Sequence, residues 1–143
     1  MREKKILIVE DHADCRELLS LVLSRSGYTV VQAGTGLDGL ERASATAPDL
    51  IVMDFGLPDT TGYEVILSLK GNPVTGKIPV IVTTGYMTPE VTKRAYAAGA
   101  AMVLTKPYGV DQLRSVIDQL LATDADCEPQ SMPISARSRL NLH

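Results

Sequence analysis

The sequence predicts an α/β protein, a parallel sheet with helices packed on both of its faces. Three observations lead there. Short apolar runs recur at Ile6–Val9, Leu50–Met53, Val80–Val82 and Met102–Leu104, and runs without polar alternation belong to strands buried on both sides. Between them lie stretches with apolar residues at helical spacing, so strands and helices alternate strictly, which calls for crossover connections and parallel pairing. Each run also ends in polar residues: Glu10-Asp11, Asp54, Thr83-Thr84 and Thr105-Lys106. If the strands are parallel, these ends gather at one edge, where open α/β sheets place their sites.

Taken in order, the first strand covers about 5–9 and leads into Glu10-Asp11-His12-Ala13-Asp14, acids that suit the first turn of a helix. Leu18, Leu19, Val22 and Leu23 then form an apolar stripe, and Gly27 stops the first helix. Tyr28 to Gln32 is short and rich in β-branched residues and reads as the second strand. Gly34-Thr35-Gly36 turns into a second helix marked by Leu37, Leu40, Ala43 and Ala47, closed by Pro48. Leu50 to Asp54 is the third strand, ended by Gly56 and Pro58. Val65, Ile66 and Leu69 mark the third helix. The fourth strand is expected at about 78–83, and the fourth helix from Pro89, tolerated in a first turn, to Gly99. The fifth strand is expected at about 101–105, followed by a fifth helix with Leu113, Val116, Ile117, Leu120 and Leu121 as its core stripe. The apolar pattern stops after Ala122. The segment 124–143 holds Pro129, Pro133, three acids and three serines without apolar period, and reads as a disordered tail behind a domain of residues 1–123.

Composition narrows the class. A chain of 143 residues with 45% hydrophobic and 22% charged residues suits one globular domain. The net charge of -3 gives no bias toward nucleic acid. Cys15 and Cys127 stand far apart in no thiol-chemistry motif, which favours reduced cysteines in a cytoplasmic setting. The apolar run behind the charged start is only Ile6 to Val9, too short for a signal peptide or a membrane span.

The chemistry lies in the strand ends. Glu10, Asp11 and Asp54 form an acidic cluster that repels itself unless a cation or protons relieve it. Oxygen ligands of this kind suit a hard divalent ion, Mg2+ above all. Lys106 adds the opposite charge. A carboxylate, a metal, a hydroxyl and an ammonium can together accept and hold a phosphoryl group, with Asp54 as nucleophile forming an acyl phosphate. Any single one of these residues taken alone is an ordinary solvated loop residue. Their convergence at four strand ends carries the reading.

From about Lys4 to Ala122 the chain resembles the receiver domains of two-component response regulators. The acidic pair matches Glu10-Asp11, and the phospho-accepting aspartate matches Asp54 in Met53-Asp54-Phe55-Gly56-Leu57-Pro58, with Gly62 as the glycine that follows. Thr84 matches the switch hydroxyl and Lys106 the lysine of the Lys-Pro motif. The resemblance implies a flavodoxin-like, doubly wound five-stranded sheet of order 2-1-3-4-5 with five helices. It also implies Mg2+ held by Asp11, Asp54 and the Gly56 carbonyl, with Glu10 acting mostly through water, and a cis peptide before Pro107. The function implied is a phosphorylation-controlled switch rather than an enzyme. A histidine kinase or histidine phosphotransfer protein donates the phosphoryl group, and output passes to a further protein, with no direct nucleic-acid contact and no membrane insertion.

Two positions depart from the family pattern. Where an aromatic ring often stands three residues before the lysine there is Val103, and where a transcription-factor subfamily has an acidic dimerisation pair there is Ala101-Met102. His12 reads as a solvated helix-start residue or as one tuning access to the acids. Thr83 competes with Thr84, though strand alternation separates the two and the spacing favours Thr84. Tyr86 either gates water or packs, and Tyr108 packs. The rivals are a receiver belonging to a longer hybrid kinase or transcription factor, and an aspartyl-phosphate phosphohydrolase. The hydrolase would carry a second Asp two residues after the nucleophile, where this chain has Gly56.

Overall fold

The computed structural model describes residues 4–57, 59–85, 88–106 and 109–126, with side chains through 122. The elements alternate as β1 (Lys5–Val9), α1 (Ala13–Arg25), β2 (Thr29–Ala33), α2 (Gly36–Thr46), β3 (Leu50–Asp54), α3 (Gly62–Lys70), β4 (Val80–Thr84), α4 (Pro89–Ala98), β5 (Met102–Thr105) and α5 (Val110–Asp126). All strand pairs are parallel and the sheet order is β2-β1-β3-β4-β5. The expected flavodoxin-like arrangement is therefore present.

Alternation along the strands divides the core into two layers. Leu7, Val9, Ile51, Met53, Val80 and Val82 pack with Ala43, Val65, Ile66, Leu69, Ala95 and Ala98, so α2, α3 and α4 cover one face. Ile6, Ile8, Leu50, Val52, Ile81 and Leu104 meet Leu19, Leu23, Leu113, Ile117 and Leu121, so α1 and α5 cover the other. The central strands β1, β3 and β4 are buried along nearly their whole length, as their continuous apolar runs require.

Three helices begin on a threonine cap. Thr35, Thr61 and Thr88 accept hydrogen bonds from the N–H groups of Asp38, Glu64 and Val91, satisfying donors that a helix start leaves open. β2 and the start of β5 shift by one residue, and Ala47, expected in the second helix, caps it in a left-handed conformation; two boundaries move further. β4 begins at Val80 rather than Ile78, because Pro79 has no N–H for the ladder and Ile78 N–H turns back to the Thr75 carbonyl. The strand then reaches Thr84. α5 continues to Asp126, into the polar segment expected to be tail, since backbone hydrogen bonds can propagate a helix without an apolar face. Residues 127–143, Cys127 among them, lie outside the described residues.

Candidate functional site

At the carboxyl edge of the sheet the chain leaves the strands without breaking the ladder. Glu10 N–H donates to the Ala33 carbonyl, Phe55 N–H to Thr83 and Lys106 N–H to Thr84, which holds the residues after β1, β3 and β5 in register. Glu10, Asp54 and Lys106 are thereby brought together. The Lys106 ammonium donates to Glu10 Oε1 at 3.0 Å and to Asp54 Oδ2 at 3.2 Å. Glu10 and Asp54 keep only 3% and 8% of their surface exposed, so two buried carboxylates share one cation.

Their environments differ. Burial would push the Glu10 carboxyl up, but the His12 N–H and Lys106 outweigh it and hold Glu10 below its ordinary value. For Asp54 burial wins: its carboxyl is raised, with the nearby Glu10 charge adding and Lys106 and the Gly56 N–H opposing. Burial alone would lower the Lys106 ammonium, but Glu10 and Asp54 raise it, so it stays charged.

Asp11 is exposed beside this pair. Glu10 Oε2 accepts from His12 N–H at 3.1 Å and stands 3.3 Å from His12 Nδ1, which in turn lies 3.4 Å from Asp11 Oδ1. Carboxylate oxygens of Glu10 and Asp11 and a His12 nitrogen all fall within 4.8 Å of one another. The carboxylates of Glu10, Asp11 and Asp54 outnumber the one ammonium that pairs with them, and their oxygens are the donors that a hard divalent cation takes. The donor set fits such an ion. His12 is exposed, as a helix-start residue is.

Gly56 N–H donates to Asp54 Oδ1 at 3.3 Å, and Gly56 forms a bridge with Thr61. Gly62 N–H donates to the Phe55 carbonyl at 2.7 Å, and a Cβ at Gly62 would stand 2.8 Å from Phe55 Cα. The loop after Asp54 thus closes so tightly on α3 that only glycine fits there. Thr83 is the register partner of Asp54, and Thr84 follows at the end of β4; both are buried. Val103 is buried against the α3 and α4 side. Its N–H donates to the Tyr96 hydroxyl at 3.2 Å, and that hydroxyl lies 3.8 Å from Met102 Sδ. Tyr86, Pro107 with its expected cis peptide, and Tyr108 lie outside the described residues. Cys15 is a free, exposed thiol.

Three residues escaped the sequence reading. Arg16 donates from Nη1 to the Glu10 carbonyl at 2.6 Å. Asp59 accepts from Gly36 N–H at 2.8 Å and Leu37 N–H at 3.0 Å, capping α2 from the loop that follows Asp54. Tyr96 covers the outer side of β5. None of the three carried a local signal, Arg16 being in sequence one more cation on an amphipathic helix.

The chain belongs to the response regulator receiver domain family, whose pattern it matches over residues 6–118. It is a phospho-accepting response regulator receiver. It is 31% identical over 121 residues to the sporulation initiation phosphotransferase F of Bacillus subtilis, covering 85% of this chain and 96% of that protein. Over 110 residues it is 34% identical to the phosphate regulon transcriptional regulatory protein PhoB of Escherichia coli, covering 77% of this chain and 48% of that one. The chemotaxis protein CheY4 of Vibrio cholerae superposes with a TM-score of 0.79 at 27% identity, covering 82% of this chain and 98% of that one. The chain thus spans nearly all of the phosphotransferase and of the chemotaxis protein, and about half of the transcriptional regulator. Receivers are signalling switches that bind Mg2+ at an acidic cluster and take their phosphoryl group from histidine kinases or phosphotransfer proteins. Among the described residues no helix is long and apolar enough to cross a membrane.

Proposed function

We propose that Asp54 is the phospho-acceptor of a cytoplasmic switch. Asp11, Asp54 and the Gly56 carbonyl would hold Mg2+, Glu10 would act mostly through water, and Thr84 and Lys106 would grip the transferred group. The observation that carries this reading is the single Lys106 ammonium shared by two buried carboxylates. Bound Mg2+ would offset charge on the incoming phosphoryl oxygens. An Asp54 carboxylate oxygen attacks phosphorus, the bond from phosphorus to the donor histidine breaks, and that electron pair returns to the imidazole. Lys106 then exchanges a carboxylate for a phosphoryl oxygen, and Thr84 closes on another.

The adduct adds charge and acceptor oxygens, which shifts the populations of the β4–α4 loop and α4. Output passes to another protein rather than to a catalytic step of its own, since Gly56 places no general acid beside Asp54. We take the receiver unit to include α5 through Asp126. The match to nearly the whole of the sporulation phosphotransferase favours a stand-alone receiver. The half-length match to the transcriptional regulator favours a second reading, the same unit within a longer hybrid kinase or transcription factor.

With Mg2+ and a small phosphodonor such as acetyl phosphate, intact mass should rise by one phosphoryl group that hydroxylamine removes, and Asp54→Asn should abolish the gain. Unchanged labelling of Asp54→Asn would overturn the assignment. Steady turnover of an aryl phosphate, lost in that variant, would indicate a phosphohydrolase instead.

A further inference from the structure

Arg16 is half-buried on the first turn of α1, and among the described residues none of its contacts is with a carboxylate. Its guanidinium spans a backbone carbonyl and a side-chain amide instead. Nη1 donates to the Glu10 carbonyl at 2.6 Å, and Nε donates to Gln32 Oε1 at 3.3 Å. The backbone N–H of the same residue donates to the His12 carbonyl at 2.9 Å. The guanidinium therefore holds the carbonyl that precedes Asp11, the one acid of the cluster outside the buried pair, while the carbonyl after it is held by the helix's own main-chain bond. The space the guanidinium occupies is left by Gly34, where a Cβ would approach Nη1 to 3.3 Å. Ser20 fastens the helix side, its hydroxyl donating to the Arg16 carbonyl at 2.7 Å.

We propose that Arg16 is a positioning residue for the metal site, fixing the Glu10-Asp11-His12 main chain so that the Asp11 carboxylate is already in place when Mg2+ arrives. The inference rests on the metal reading above and deepens it. A fixed ligand loses less freedom on binding, and groups that orient metal ligands commonly set affinity as strongly as some ligands do. As a bare charge Arg16 would act in the opposite direction, since a cation beside the acids repels Mg2+. The two roles thus give opposite signs.

The test is Mg2+ titration by calorimetry on the full chain and on Arg16→Gln, Arg16→Lys, Gly34→Ala and Asp11→Asn, with thermal melts recording folding. Arg16→Gln should weaken Mg2+ binding roughly tenfold. Arg16→Lys should also weaken it, because an ammonium keeps the charge but not the planar fork that reaches Glu10 and Gln32 together. Gly34→Ala should weaken it less, by crowding the guanidinium without touching α1, and it decides the matter if the Arg16 variants do not fold. Mg2+ binding by Arg16→Gln as tight as, or tighter than, that of the unaltered chain would overturn the proposal. Full affinity in Arg16→Lys would overturn it too, by showing that the planar fork to Glu10 and Gln32 is not needed. If Asp11→Asn also binds Mg2+ unchanged, the metal reading itself fails along with this inference, whereas loss in Asp11→Asn with unchanged Arg16 variants removes the inference only.

Discussion

Replacing Asp54 by Asn should stabilise the fold while removing its phosphorylation. With Lys106 Nζ 3.0 Å from Glu10 and 3.2 Å from Asp54, each attraction at an effective dielectric of about 20 is worth about 5 kcal/mol before burial is charged against it. The two carboxylate oxygens that share the ammonium lie within about 6 Å of each other and repel by about 3 kcal/mol on the same scale. Charge contacts alone therefore favour ionised Asp54 by about 2 kcal/mol, and removing a buried carboxylate from water costs several. The raised Asp54 carboxyl gives the sign of the balance, with burial ahead. Asn keeps the shape but has one acceptor oxygen where Asp54 offers two, so it keeps the bond from Lys106 at the cost of the one from Gly56, and it leaves the ammonium one charged partner. The expected gain is about 1 kcal/mol, or roughly 3–4 °C in Tm for a domain of this size. Thermal melts in EDTA should show it. On the proposed role of Asp54 as a Mg2+ ligand, excess MgCl2 should close the gap, because an ion that binds the folded state stabilises it and the variant would bind it less well. An Asp54→Asn variant that melts at or below the unaltered chain in EDTA would refute this charge balance.

Gly62→Ala should destabilise the fold by about 1–3 kcal/mol, because the added Cβ meets Phe55 Cα at 2.8 Å and backbone cannot give way as a flexible side chain can; denaturant unfolding checks it, and a neutral result would refute the steric reading. Tyr28 donates to the Asp118 carboxylate, and burial together with that acid pushes its phenol up to about 12. A raised pKa means that its contribution to stability is complete below about pH 10 and lost as pH rises through about 12, so an ultraviolet phenolate titration should show a late component that disappears in Tyr28→Phe and moves down in Asp118→Asn. A beryllofluoride adduct should shift amide signals from Gly85 to about Val91 strongly and those flanking Val103 weakly, since a β-branched Val103 has no ring to swing. Large shifts around Val103 with an unchanged segment 85–91 would refute that route.

Much of this was legible because each central strand is an apolar run ending in chemistry. The run Leu50–Asp54 named β3 to the residue and delivered its acid to the edge. Lys106 could be paired with Glu10 and Asp54 because parallel strands place their ends together. Where the reading slipped, local rules competed: Pro79 moved the start of β4, and α5 ran past the last apolar residue of its stripe. Other contacts had no local signature. Asp59 caps a helix 23 positions upstream, and Arg16 looks like any solvated helical cation until β2 is laid beside β1 with Gly34 at its end.

Tyr96 reaches from α4 to the position on β5 where the family pattern often has a ring and this chain has Val103. Beyond β5 the ladder ends, since β4 is its one neighbour in the sheet, and an edge strand turns alternate N–H groups away from its partner. The Val103 N–H meets the Tyr96 hydroxyl there instead of water. The strand lacks a ring of its own at position 103, yet an aromatic side chain from the last turn of α4 lies against the same residue. Its phenol links helix to strand by a hydrogen bond rather than by a rotamer change. That end of α4 is also restrained by Gly99, where a Cβ would meet the Lys70 side chain at 2.9 Å while Lys70 donates to the Gly76 and Ile78 carbonyls at 3.1 and 2.9 Å. The opposite end begins in an exposed threonine cap. A displacement started at Thr84 therefore meets least resistance at the first turn of α4, which is why the amide response is expected there and not at Val103.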